Sequence, residues 1–180
     1  MGWRRSRSSV KYRNAWITVR EDAVVYPDGG RGIYGVVEKG PGVCVVPVDE
    51  DGGIYLLRQY RYTIDASVWE LPAGAIGPGE SERAAARREL REETGLSCRR
   101  LERLGLFYTA LGHENAAIIA YRASGLTVPG ALGGGQRDES ILEVRRFPAP
   151  EIKRMALAGR IPCGIALASL NLHSMGGRKG

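Results

Sequence analysis

The chain has 180 residues, 43% of them hydrophobic, enough to core one domain and short for two. Its 26 Lys and Arg against 20 Asp and Glu give +6, but Arg4, Arg5, Arg7, Lys11 and Arg13 lie in the first 14 residues, which hold no acid, so the body is nearly neutral. The basic character therefore belongs to a tail, which argues against a nucleic-acid partner, and no stretch approaches the ~18 apolar residues of a membrane span.

In chain order, residues 1–13 read as a basic disordered arm and residues 14–175 as a single domain. "AWITVREDAVVYPDGGRGIYGVVEKG" reads as two strands around a Pro-Asp-Gly-Gly turn, because β-branched and aromatic residues flank a turn-forming cluster. "GVCVVPVDEDGGIYLLRQYRY" repeats the pattern around Asp-Gly-Gly, so the first third reads as antiparallel β-structure. A helix begins after Ser81, a good N-cap with Glu82 in the first turn, and stops at Gly95, which suits the position after a helix end. "LERLGLFYTA", "AAIIAYRAS" and "ILEVRRF" are further strands, and the glycine-rich stretch "GLTVPGALGGGQRDE" between the last two reads as a loop. The end has helical spacing broken at Gly159 and Pro162, hence two short helices. Strands with helices before and after them indicate one α+β layer structure.

Cys44, Cys98 and Cys163 are odd in number and widely spaced, with no C-x-x-C. They suggest neither a disulfide framework nor a zinc site, and the N-terminus lacks the apolar run of a secretory signal, so a reducing cytoplasm fits.

The helix poses the functional question. Its one sizeable apolar side chain is Leu90, while Glu82, Glu89, Glu92 and Glu93 fall on one face within roughly a third of its circumference. One explanation is a solvated face laced by Glu and Arg pairs four residues apart. The other is a hard-oxygen site: "WELPAGAIGPGE" places a strand end and a tight glycine loop directly before the helix, and carboxylates beside exposed backbone carbonyls suit Mg²⁺. Arg88 would hold a glutamate in place by a charge-assisted pair.

Residues 74–96 match the Nudix box, G-x5-E-x7-R-E-U-x-E-E-x-G-U, at Gly74, Glu80, Arg88, Glu89, Leu90, Glu92, Glu93, Gly95 and Leu96. The chain thus resembles a Nudix hydrolase. "RQYR" at 58–61, "WELPAG" at 69–74 and the N-terminal strand pair are similar to the branch that hydrolyses ADP-ribose and other nucleoside diphosphate sugars. The resemblance implies a mixed β-sheet sandwiched between helices with an N-terminal antiparallel β extension, and Mg²⁺- or Mn²⁺-dependent cleavage to two phosphorylated products. It implies Glu89 and Glu93 as principal metal ligands, assisted by Glu92 and the carbonyl of Ala73, with Glu80 and Arg88 supporting loop and ligands. Arg61 and Glu70 fall at substrate-binding positions, with Arg61 reaching a phosphate and Arg58 facing the other way. Trp16 and Tyr60 are candidates to stack a base, against the alternative that strand aromatics are core. The general base falls to Glu139 ahead of Asp138, on the loop before the last strand, with Glu92 and Glu114 next. A homodimer through the N-terminal strands is also implied.

The family's ADP-ribose hydrolases commonly carry a Pro-Gly step about sixteen residues past the box. Here Leu111 precedes Gly112, which leaves GDP-mannose-like and other nucleotide sugars open. Two further readings stand beside hydrolysis of a nucleotide sugar. One is a regulatory module that binds a nucleotide without cleaving it, although such modules usually lose box glutamates. The other is an RNA-directed pyrophosphohydrolase using the basic arm, which lacks interleaved aromatics.

Overall fold

The computed structural model describes residues 2–130, 132–133 and 140–176. The chain divides into two compact units, residues 1–41 with 108–117, and residues 42–107 with 118–180.

The first unit is built on a three-stranded antiparallel sheet of β1 (Arg4–Arg13), β2 (Thr18–Val25) and β3 (Arg31–Glu38), with β2 in the centre. The Pro-Asp-Gly-Gly turn lies where the sequence puts it: Tyr26 N donates to Gly30 O at 2.8 Å, and Gly29 adopts φ 89, where a side chain would be strained. Between β1 and β2 the Asn14 Oδ1 accepts from the amides of Trp16 and Ile17, both at 2.8 Å, a side-chain turn that reverses the chain. The expectation of a disordered arm over residues 1–13 is corrected, because Arg4–Arg13 pairs with β2 along its length. That strand has no buried face to leave an apolar alternation in the sequence; it is held by backbone pairing, with register irregularities after Arg5 and Val10, and by contacts such as Lys11–Glu21 at 3.0 Å. Residues 108–117 return to this unit and run beside β3, where Val37 N donates to His113 O at 2.7 Å.

Among the described residues the second unit holds two sheets and three α-helices. One sheet runs β7 (Ala73–Ala75), β4 (Gly42–Pro47), β9 (Ala117–Thr127) and β8 (Ser97–Tyr108); the other runs β10 (Ile141–Phe147), β5 (Ile54–Arg61) and β6 (Ala66–Glu70). β4 is buried along its whole length and sorts two cores by alternation. Val43 and Val45 join Ala85, Ala86, Leu90, Leu96 and Tyr121 on the side of α1 (Glu82–Thr94). Cys44 and Val46 join Trp69, Phe147, Ile152 and Met155 on the side of α2 (Ala149–Leu157), with Ala166 of α3 (Gly164–Gly176) in the same core.

The expected β4–β5 hairpin is also corrected. The Asp-Gly-Gly turn forms, with Asp49 Oδ1 accepting from Gly53 N at 2.7 Å, but only the bridge Val48–Ile54 follows before the strands part into different sheets. β4 pairs instead in parallel with β9, Cys44 opposite Ala120, and antiparallel with β7. Its near-continuous apolar run "GVCVVP" is the mark of a strand covered on both faces. The two C-terminal helices, α2 and α3, lie either side of Gly159 and Pro162 as their spacing indicates. Among the described residues no helix is long and apolar enough to cross a membrane.

Candidate active site on the carboxylate helix

The site grows from a strand, a loop and a helix in that order. β7 ends against β4, the chain turns at Gly77–Gly79, and Ser81 caps α1 by accepting from Ala84 N at 3.2 Å. Gly95 closes the helix at φ 78 with its amide on Arg91 O. Ala85, Ala86 and Leu90 anchor α1 on the sheet, and this apolar strip is narrow because Glu89 and Glu93 share the buried side.

Both carboxylates are more than nine-tenths buried. Glu93 Oε2 accepts from Ala73 N at 2.9 Å, so the last turn of α1 grips the start of β7. Glu89 lies against Gly74, where a Cβ would stand 2.1 Å from Glu89 Oε1. The glycine is therefore required by a carboxylate and not by backbone conformation.

Arg88 ties the cluster together. Its Nε and Nη2 donate to the two oxygens of Glu80, each at 2.9 Å, and Nη2 also reaches Ala75 O at 2.9 Å. Its Nη1 donates to Glu89 Oε1 at 2.7 Å and to Glu92 Oε2 at 3.1 Å. Glu80 in turn accepts from Gly77 N at 3.0 Å, locking the loop to the helix. The Arg88 guanidinium, then the Gly77 amide, hold the Glu80 carboxyl down to about 2, and the Glu80 pair is the chief cause that raises Arg88.

Of the two readings of the acidic face, the solvated ladder explains little. Arg88–Glu92 is a pair four residues apart, but Arg83 and Arg87 turn to the backbone of β8, and Glu82 pairs with Arg103 at 3.5 Å instead of joining the cluster. Glu80, Glu89 and Glu92 all lean on one guanidinium, and Glu93 sits alongside, so among the described residues of this cluster carboxylates outnumber the cation, with Glu89 and Glu93 buried. Among the described residues no three carboxylate, thiol or imidazole side chains are already gathered as a metal cage. The donor set nonetheless fits a hard divalent cation: oxygen donors only, an excess of negative charge, and a glycine that lets the loop backbone approach Glu89. Glu89, Glu92, Glu93 and the Ala73 carbonyl are the residues that would hold it.

At the end of β5, Arg61 forms a two-point pair with the buried Glu70, its Nε donating to Glu70 Oε1 at 3.0 Å. The pair raises Arg61, and Glu93 contributes to the same effect through its charge. Arg58, on the same strand, is exposed. Sequence reasoning assigned Arg61 and Glu70 separate contacts and missed that they bind each other; the strand register sets Arg61 opposite Ala66 and Glu70 opposite Leu57, so neither spacing nor strand pairing signals the contact. Tyr60 is partly exposed and donates to Asp65 Oδ1 at 3.0 Å, and Trp16, in the first unit, is 79% exposed, so neither is core. Glu114 accepts from Thr109 Oγ1 at 2.9 Å and pairs with Lys39 at 3.6 Å, within the first unit. Asp138 and Glu139 lie outside the described residues.

Residues 38–162 match the NUDIX domain and residues 3–37 the nucleoside diphosphate sugar hydrolase N-terminal domain, and the chain belongs to the Nudix hydrolase family. It is 34% identical over 170 residues to an ADP-ribose pyrophosphatase of Mycobacterium tuberculosis, spanning 93% of this chain and 82% of that protein. It is 33% identical over 125 residues to the methanol dehydrogenase activator of Bacillus methanolicus, 69% of this chain and 68% of that one. In fold it is similar to an ADP compounds hydrolase of known crystal structure, with a TM-score of 0.85 at 21% identity over 97% of this chain and 94% of the other. The chain is a Nudix pyrophosphohydrolase with the N-terminal sheet of the nucleotide-sugar branch.

Proposed function

We propose that the chain hydrolyses the pyrophosphate bond of a nucleoside diphosphate sugar, ADP-ribose or a GDP-mannose-like compound, with Mg²⁺ or Mn²⁺, releasing a nucleoside monophosphate and a sugar phosphate. The observation that carries this reading is the cluster in which Arg88 fastens Glu80, Glu89 and Glu92 beside Glu93. A bound divalent cation supplies charge neutralisation and acidifies water. The chain's own residues do the positioning: Glu93 fixes the start of β7, Glu80 and Arg88 fix the loop, and Gly74 gives Glu89 room. Arg61 faces a substrate phosphate, with Glu70 holding its fork in one orientation. Phosphoryl transfer is mostly positioning and electrostatic stabilisation, so no protein nucleophile is needed.

Glu139, or failing it Asp138, serves as the base that takes the proton of the attacking water. Trp16 and Tyr60 are the aromatics offered to a base, their exposure agreeing with that role. Dimerisation through the N-terminal sheet is supported by the exposure of Tyr12, Trp16 and Ile33 on that sheet and its turns. The test is a panel of ADP-ribose, GDP-mannose, UDP-glucose, a dinucleoside polyphosphate and capped RNA with Mg²⁺, scored by product. A nucleotide sugar split into two phosphorylated products is the expected outcome; turnover of the RNA alone would overturn the reading.

A further inference from the structure

Away from Glu89 and Glu92, α1 carries a second charged face. Arg83 and Arg87, four residues apart, reach the backbone of β8, at 3.1 Å to Leu101 O and 2.6 Å to Cys98 O. With Arg99, Arg100 and Arg103 of β8 and Arg122 of β9 they line a groove of about 610 Å³. Among the described lining residues Glu102 is the one carboxylate.

Charged side chains commonly guard an edge strand, and β8 is one. A guard needs only outward-pointing charge, whereas here six arginines line one concavity. Arg103 is answered by Glu82, but among the described residues Arg99 and Arg100 pair with no carboxylate. Among the described residues Arg122 Nε is buried with no hydrogen-bond partner, a costly arrangement for a charged donor. Arg83 and Arg87 are meanwhile held in place by the carbonyls they bind, so their charge is fixed in space before any ligand arrives.

We infer that this groove is a second anion site, separate from the carboxylate cluster, which binds a small molecule carrying a chain of two or more phosphates. Guanidinium forks match phosphate oxygens in pairs, and several phosphates are needed to answer several forks. The volume suits a small molecule. No aromatic side chain is among the described lining residues, so bases of a nucleic-acid strand have no surface to stack on, and the phosphate chain itself is what is recognised. Inorganic polyphosphate and the phosphates of a nucleoside polyphosphate share this chemistry.

The test is calorimetric titration of the full chain, in chelator so that cation-dependent binding at the carboxylate cluster is removed, with inorganic tripolyphosphate and separately with ATP. Saturable one-to-one binding is expected, weakened by about tenfold or more in Arg99→Ala/Arg100→Ala with the melting temperature unchanged. Arg122→Met, which removes the buried donor, should weaken it too. Equal affinity for both ligands identifies the phosphate chain alone; tighter ATP identifies the nucleoside polyphosphate as the source. Should the double variant fail to fold, the single variants Arg99→Gln and Arg100→Gln carry the same comparison. Absence of saturable binding, unchanged affinity in folded variants, or tighter binding of an unstructured RNA oligonucleotide lost in the same variants would overturn the inference.

Discussion

Gly74 and Glu89 meet so closely that any side chain at residue 74 would occupy the space of the carboxylate, its Cβ 2.1 Å from Oε1 and 2.2 Å from the carboxyl carbon. The residue at fault in such a clash is the end of a side chain, so Gly74→Ala should fold while pushing Glu89 aside. A catalytic group moved by about 1 Å costs on the order of 10²-fold in rate. We expect kcat to fall by about that factor with a small loss in melting temperature. Wild-type kcat in a folded Gly74→Ala would show that Glu89 is not placed by this contact.

Glu93→Gln separates the two uses of this side chain. The amide oxygen of glutamine still accepts from Ala73 N, so the tie between α1 and β7 survives, while the negative charge is lost. Turnover should fall to near background with the fold intact, and chelator should do the same to the wild type. Circular dichroism and hydrolysis measured on one preparation decide it: normal turnover in the variant removes Glu93 from the cation's ligands.

The helix ends and the box were legible in the sequence because each is local. A serine cap, a left-handed Gly95 and a spacing of four carry their own signals within one turn. β1 was not legible, since an exposed strand paired on one side leaves no apolar period, and the partner of β4 was not, since Cys44 pairs with Ala120 far along the chain. The reach of Arg88 illustrates the boundary inside the site. Its contact with Glu92 follows from helical spacing, but those with Glu80 and Ala75 O depend on how the Gly77–Gly79 turn folds back.

The Glu80–Arg88 pair makes a pH prediction with a definite sign. The folded carboxyl titrates at about 2, below its ordinary value of 4.5, so its contribution to stability is fully present above the unfolded value. It is lost as pH falls from 4.5 toward 2. The stability difference between wild type and Glu80→Gln should thus be constant at neutral pH and shrink through that acidic window, as read from denaturant unfolding at a series of pH values. A difference that stays level through the window would mean the pair does not stabilise the fold.

The base we propose, Glu139, directly precedes Ser140, whose carbonyl accepts from Tyr60 N beside Arg61. A base that deprotonates water contributes ~10² to 10⁴ in rate, so Glu139→Gln should lower kcat by that order with little change in metal affinity. Asp138→Asn is the companion. Retention of wild-type kcat in both moves the role to Glu92 or Glu114.

Arg61 has a structural duty and a proposed binding duty, and a double variant distinguishes them. Glu70 is 4% exposed, so Arg61→Ala strands a buried carboxylate and should lower stability by about 1–3 kcal/mol, the half-exposed Arg61 site letting water in. The same variant should raise KM, whereas Arg58→Ala, exposed and on the same strand, should change KM little. Adding Glu70→Gln to Arg61→Ala removes the stranded charge, since a neutral amide is far cheaper to bury. Stability should then recover much of the loss while KM stays high, because the substrate phosphate still lacks its partner. Recovery of KM together with stability would show that Arg61 acts only by holding β5 and β6 in register, and that another cation meets the phosphate.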